Sequence, residues 1–139
     1  MTRRVPELPA AALEYLDTYA LATLATARGD GTLHAVTVGV TWDDEAQLAR
    51  VITFEGSQKV RNVERTGYAA VSQFDGPRQL TFEGPATVVR DRHAVAEAER
   101  RYAARYRTPR PNPQRVVIEI AVTRILGVQS FLRDAPPAR

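Results

Sequence analysis

The densest run of residues able to do chemistry is Gly56-Ser57-Gln58-Lys59, followed by Asn62. A hydroxyl, an ammonium and an amide fall within six residues, at a point where the spacing predicts that a helix begins. The first backbone N–H groups of a helix have no partner within it, and they carry the positive end of its dipole. Such a junction suits a phosphate. The same residues also fit an ordinary helix capped by Ser57 with a solvated lysine, and spacing alone leaves both readings open. Lys59 stands out in composition as well, because the other eighteen basic residues are all arginine.

A second cluster lies further on. Residues 90–115 hold eight arginines against Asp91, Glu97 and Glu99, a local charge of +5 in a chain whose net charge is +3. An anionic partner fits such a segment. Arg107, Arg110 and Arg115 lie in or beside Thr108-Pro109-Arg110-Pro111-Asn112-Pro113, where prolines leave little entropy to lose when a guanidinium grips a carboxylate. A solvated helix face with a basic loop explains the same residues. His34, on a strand beside valines, serves as a ligand donor or as a structural residue, and Tyr68, Gln73 and Phe74 serve as pocket lining or as core.

Several chemistries are excluded. The chain has no cysteine, which removes disulfides, thiolate metal sites and a cysteine nucleophile. Its two histidines stand far apart, outside any metal-binding spacing, and no nucleophile-elbow pattern surrounds a serine. Nucleic-acid binding through the basic segment lacks the interleaved aromatics of a single-strand binder. No apolar run reaches the ~18 residues needed to cross a bilayer, and no export signal is evident, so a cytoplasmic protein is expected.

The elements that must position these residues follow from the pattern of apolar residues. With 139 residues, 44% of them hydrophobic, a single domain over 1–139 is expected, with frayed ends at about 1–7 and 134–139. A short helix runs from Pro9 to Tyr19. Strands are expected over Leu21–Ala27, Leu33–Trp42, Leu48–Phe54, Tyr68–Phe74, Arg78–Arg90 and Arg115–Gly127, with a bend at Gly84-Pro85. Ser57 opens a second helix that Gly67 closes, and Asp91 caps a third that runs to about Tyr106. Six strands joined mostly by short turns, with three small helices, predict a mainly β, six-stranded antiparallel sheet closed into a small split barrel.

The segments "VITFEGSQKVRNVERTG", "VSQFDGPRQLTFEGPA" and "RYRTPRPNPQRVVIEI", in this order, resemble the split-barrel flavin and deazaflavin oxidoreductases related to pyridoxamine-phosphate oxidase. Within that group the resemblance is greatest to the coenzyme F420-dependent biliverdin reductases, from about Leu13 to Leu126. It implies a homodimer with a deazaflavin in a groove at the interface. Ser57, Lys59 and Asn62 would hold the phosphate of coenzyme F420, or of FMN in the alternative, with Glu55, Gly56 and Arg61 also at the cofactor site. His34, Ala35, Val36, Thr37 and Val38 would line the ring, and Gln73, Gly76, Pro77 and Arg78 would flank it.

On this resemblance the protein transfers a hydride from the reduced deazaflavin to an unsaturated small molecule, a tetrapyrrole such as biliverdin. Arg107, Arg110 and Arg115 would pair either the substrate's carboxylates or the coenzyme's acidic tail, and no side chain is expected to act as nucleophile. An FMN-dependent oxidoreductase and a noncatalytic carrier of a flavin, F420 or a tetrapyrrole remain the alternatives. Glu55 departs from the Gly-Gly that precedes Ser-Gln-Lys in the resembled group, and it places a carboxylate beside the expected phosphate site.

Overall fold

The computed structural model describes residues 7–127. The expected frayed ends lie outside these residues apart from Glu7, which is exposed. The order is α1 (Ala10–Leu16), β1 (Ala22–Ala27), β2 (Leu33–Val38), β3 (Thr41–Asp43), β4 (Leu48–Phe54), α2 (Gln58–Thr66), β5 (Tyr68–Asp75), β6 (Arg78–Val89), α3 (Arg92–Arg105), β7 (Arg115–Ala121) and β8 (Arg124–Gly127).

Among the described residues eight strands replace the six expected, because two long runs are interrupted by contacts remote in sequence. Leu33–Trp42 divides at Gly39, where the rings of Tyr102 and Tyr106 lie so close that an added Cβ would sit 2.7 Å from Tyr102. The next N–H, of Val40, donates to the Tyr106 hydroxyl at 3.0 Å instead of to a strand. Arg115–Gly127 divides where the Val122 N–H donates to the Gln47 carbonyl and the Thr123 N–H to the Glu83 carbonyl. Helix α1 stops at Leu16, short of Tyr19. Ala12, Tyr15 and Leu16 are its buried residues, whereas Tyr19 is exposed. Arg105 takes the Thr18 carbonyl at 2.8 Å.

All strand pairs are antiparallel, along the path β2-β1-β5-β6-β7-β4-β3, with β8 pairing β6. Strand β6 belongs to both halves. Arg78–Pro85 pairs with β5, and Ala86–Val89 pairs with β7. The expected bend at Gly84-Pro85 is where it changes partners, and only a glycine fits there, since a Cβ on Gly84 would lie 2.1 Å from the Ala121 carbonyl oxygen. The two ends of the path, β2 and β3, are not paired with each other, so the barrel is split rather than closed.

Between the halves lies a core that includes Leu24, Val51, Val71, Leu80, Phe82 and Ile120, all fully buried. Trp42 stacks on Phe82 with centroids 4.6 Å apart and planes 14° from parallel. Helix α3 packs on β3, β4 and β7. The outer face of β1, β2 and β5 has a different character, with Thr23, Leu33, Ala35, Thr37 and Phe74 all exposed on it.

Gly84→Ala is expected to lower stability by ~1–3 kcal/mol, the usual cost of forcing atoms into packed space. A denaturant midpoint unchanged from wild type would contradict the strand crossing as described.

Candidate functional site

Helix α2 begins as its residues require. Gly56, at φ 84°, takes the left-handed conformation of a turn in which the Ser57 N–H donates to the Phe54 carbonyl at 3.3 Å. Ser57 has extended backbone, and its hydroxyl accepts from the Val60 N–H at 3.4 Å and lies 3.2 Å from the Thr53 hydroxyl. Gly67, at φ 67°, ends the helix as expected. Asn62 is fully buried: its amide donates to Thr26 Oγ1 at 3.0 Å and its carbonyl accepts from Gln58 at 2.7 Å. Ser57 and Asn62 thus hold the helix on the barrel, with their polar groups spent inside the chain.

Lys59 is left over. Its side chain is half-buried, with the ammonium 5.9 Å from the Phe54 ring centroid. Among the described residues no carboxylate pairs with it. Burial pushes its pKa below the ordinary lysine value of 10.5, since the charged form has lost water without gaining a counterion.

The ammonium lines an open groove of about 440 Å³. One edge is the end of β2 with Thr37, Val38 and Gly39, and one wall is β4 with Ile52 and Phe54. Tyr102 of α3, the loop carrying Arg107 and Arg110, and Arg115 at the start of β7 close the remaining side. Arg107 and Arg110 are exposed, and no carboxylate among the described residues pairs with either. Arg115 differs. Its guanidinium donates to Glu99 and to the Arg110 carbonyl, both at 2.8 Å, so it braces the loop that presents the other two.

The remaining expected site residues divide between groove and scaffold. Glu55 forms a two-pronged pair with Arg90 at 2.7 and 2.6 Å, and Arg90 also reaches Glu64 at 3.1 Å. Its carboxylate is therefore neutralised, held below the ordinary range by Arg90, and it lines a second cavity of about 440 Å³ with Gly56, Gln114 and Arg115. Arg61 donates to the Gly56 carbonyl at 2.6 Å and steadies the turn.

His34 is half-buried with an unpartnered Nδ1, and burial together with the Arg28 and Lys59 charges lowers its pKa and favours the neutral ring. Ala35 faces solvent and Val36 packs on the core. Gln73 is buried and accepts from Arg105 at 3.1 Å. Gly76, Pro77 and Arg78 form the β5–β6 hairpin, with Gly76 at φ 56° and Arg78 paired with Asp75. None of His34, Gln73 and the hairpin residues lines the groove in this single chain.

Phe54 and Gly39 also line the groove, outside the candidate residues of the sequence. Phe54 has a sequence signal, because it continues the outward alternation of Arg50 and Ile52 along β4. The arrangement offers three cations without carboxylate partners beside an aromatic wall, which suits a flat, anionic molecule.

The sequence profile of the pyridoxamine 5'-phosphate oxidase family matches residues 8–129. The chain belongs to this family. Over 124 residues it is 52% identical to the F420H2-dependent biliverdin reductase of Mycobacterium tuberculosis (strain CDC 1551 / Oshkosh), covering 89% of this chain and 90% of that family member. Among solved structures, one described as an F420 reductase superposes with a TM-score of 0.67 at 25% identity, over 85% of this chain and 98% of the other. A conserved hypothetical protein of M. tuberculosis superposes at 0.72 and 22% identity, over 91% and 89% of the two chains, and shares the family fold.

Anion binding in the groove is expected to be strong while Lys59 is protonated and to weaken as pH rises through its depressed pKa, so the loss begins below 10.5. Titration calorimetry with a phosphomonoester checks this, and Lys59→Arg should flatten the profile because arginine keeps its charge. A profile whose break lies at the ordinary lysine value of 10.5 in the wild type would contradict the burial argument.

Proposed function

We propose that this chain is an oxidoreductase that passes a hydride from reduced coenzyme F420 to an unsaturated substrate, biliverdin to bilirubin being the lead reaction, and that it works as a cytoplasmic homodimer. The observation that carries the proposal is the half-buried Lys59, without a counterion among the described residues, in a groove that also presents Arg107 and Arg110, for which the described residues likewise supply no carboxylate. The family relative named for this activity, 52% identical over most of both chains, supports the same reading.

The residues present fit the coenzyme. Lys59 and the opening N–H groups of α2 would hold its phosphate, while Thr37, Val38 and Gly39 offer a backbone edge for the planar ring. When bound, the reduced deazaflavin supplies the hydride. The protein's own work is to hold two flat systems face to face, keep water from between them and neutralise their acidic groups. Arg107 and Arg110 would pair substrate carboxylates, held in place by the prolines and by Arg115. No side chain is assigned as nucleophile.

The second subunit is supported by the open face of β1, β2 and β5. Its outward residues are small or apolar and uncharged, as in Thr23, Ala25, Leu33, Ala35, Ser72 and Phe74. An uncharged sheet face of this kind is a surface for association. Thr37 lies both on that face and on the groove's edge, so a partner seated there would help to enclose the ligand. Ala25→Glu should convert a wild-type dimer to monomers in sedimentation equilibrium with little change in unfolding. A wild-type monomer would contradict the proposed assembly.

Titration with F420 and with FMN, followed by anaerobic mixing of the reduced protein–coenzyme complex with biliverdin, tests the function. Saturable F420 binding and bleaching of the biliverdin band are expected, with Lys59→Ala costing ~1.5–3 kcal/mol of coenzyme affinity. Binding of FMN alone would assign the FMN-dependent alternative, and F420 binding without turnover would assign a carrier.

A further inference from the structure

We infer that Phe54 is a specificity-determining residue of this groove, an aromatic face against which a planar ring stacks while Lys59 holds the anionic group attached to it. The inference rests on the proposed function and adds to it a reason for choosing planar anions over phosphates in general.

Phe54 is 49% exposed, which is unusual for a large apolar ring on an otherwise well-packed strand. Other exposed rings have an account. Phe74 lies on the sheet face assigned to the partner, Tyr68 donates to Glu83 at 2.8 Å, and Tyr19 packs edge-on against Tyr106 at 5.4 Å. Phe54 has no aromatic neighbour among the described residues, and its recorded ring contact is the Lys59 ammonium. It lines the groove.

Its backbone is fixed on both sides. The Phe54 carbonyl accepts from the Ser57 N–H at 3.3 Å, and the adjoining Glu55 N–H donates to the Gln114 carbonyl at 2.8 Å. Across the ladder Phe54 faces Arg115, whose guanidinium is already engaged by Glu99 and the Arg110 carbonyl. The backbone that carries the ring is thus fixed, with a cationic neighbour to one side of the ring, so binding requires no rearrangement of the strand. A conjugated ring gains from offset stacking on such a face, whereas a bare phosphate gains only from the ammonium.

The test compares FMN and F420, which join a ring to a phosphate, with ribose 5-phosphate, which has no conjugated ring. Affinities are read from quenching of ligand fluorescence and, for the sugar phosphate, from calorimetry. Phe54→Ala and Phe54→Leu should each weaken binding of the ring-bearing ligands by roughly three- to tenfold, the scale of an aromatic pair. Phe54→Trp should retain it. Ribose 5-phosphate should bind all variants as it binds wild type, or more tightly to Phe54→Ala, where Lys59 is less buried. Equal loss for all three ligands would make Phe54 a support for Lys59 and overturn the inference, as would ring-ligand binding unmoved by either truncation. If wild type binds neither F420 nor FMN, the proposed function falls as well. Wild-type binding indifferent to Phe54 removes the stacking role alone.

Discussion

Strand β6 is hydrogen-bonded in both halves of the barrel, and the way the halves meet is decided where it changes partners, at Gly84. Because the Ala121 carbonyl approaches so closely there, the strand turns from β5 to β7 without a break. The sheets are joined along this one seam and separate on the far side, where β2 and β3 have no ladder between them. That separation creates the groove: Thr37, Val38 and Gly39 come from one half, and Ile52 and Phe54 from the other. Helix α2, pinned by Asn62 to Thr26, carries Lys59 to its mouth.

The electrostatics follow the same division between scaffold and site. Arg50 is shared by Asp43 and Glu119, Arg101 by Asp43 and Glu97, Arg90 by Glu55 and Glu64, and Arg115 is held by Glu99. Arg105, buried in the α3 clasp, donates to the Thr18 and Val40 carbonyls and to Gln73. The exposed pairs among these, Arg90 with Glu55 and Glu64, contribute only ~0–1 kcal/mol each, but every pair removes the cation it contains from competition for a ligand. Lys59, Arg107 and Arg110 keep their charge available. A half-buried ammonium with no partner is a cost to the empty protein that a bound anion offsets.

What the sequence shows and what it hides separate along the distance of the contacts involved. The Ser57 cap, the Gly67 stop, the Asp91 cap of α3 and the bend at Gly84-Pro85 are local and were readable, as was Lys59 as the odd residue in an arginine-rich chain. The break at Gly39 was not, because alternation runs straight through it and the cause is a pair of tyrosines more than sixty residues away. In the sequence Glu55 opposes anion binding, whereas in the fold Arg90, 35 residues on, holds its carboxylate. Asn62 sits at a spacing that suits a phosphate cradle and an internal strut equally, and only its contact with Thr26 distinguishes them. Phe54 is the last residue of a strand in the sequence, and its outward direction matters only because α3 and the proline-rich loop close over that wall.

The ammonium of Lys59 is partly dehydrated, and in the proposed function an anionic coenzyme supplies its counterion. Because the chain has a single lysine, a sample labelled with carbon-13 at lysine Cε gives one side-chain signal to follow through a pH titration. The account predicts that this signal titrates below 10.5 in the free protein and that its midpoint moves upward when F420 is added. A midpoint at the ordinary lysine value, unmoved by the coenzyme, would contradict it.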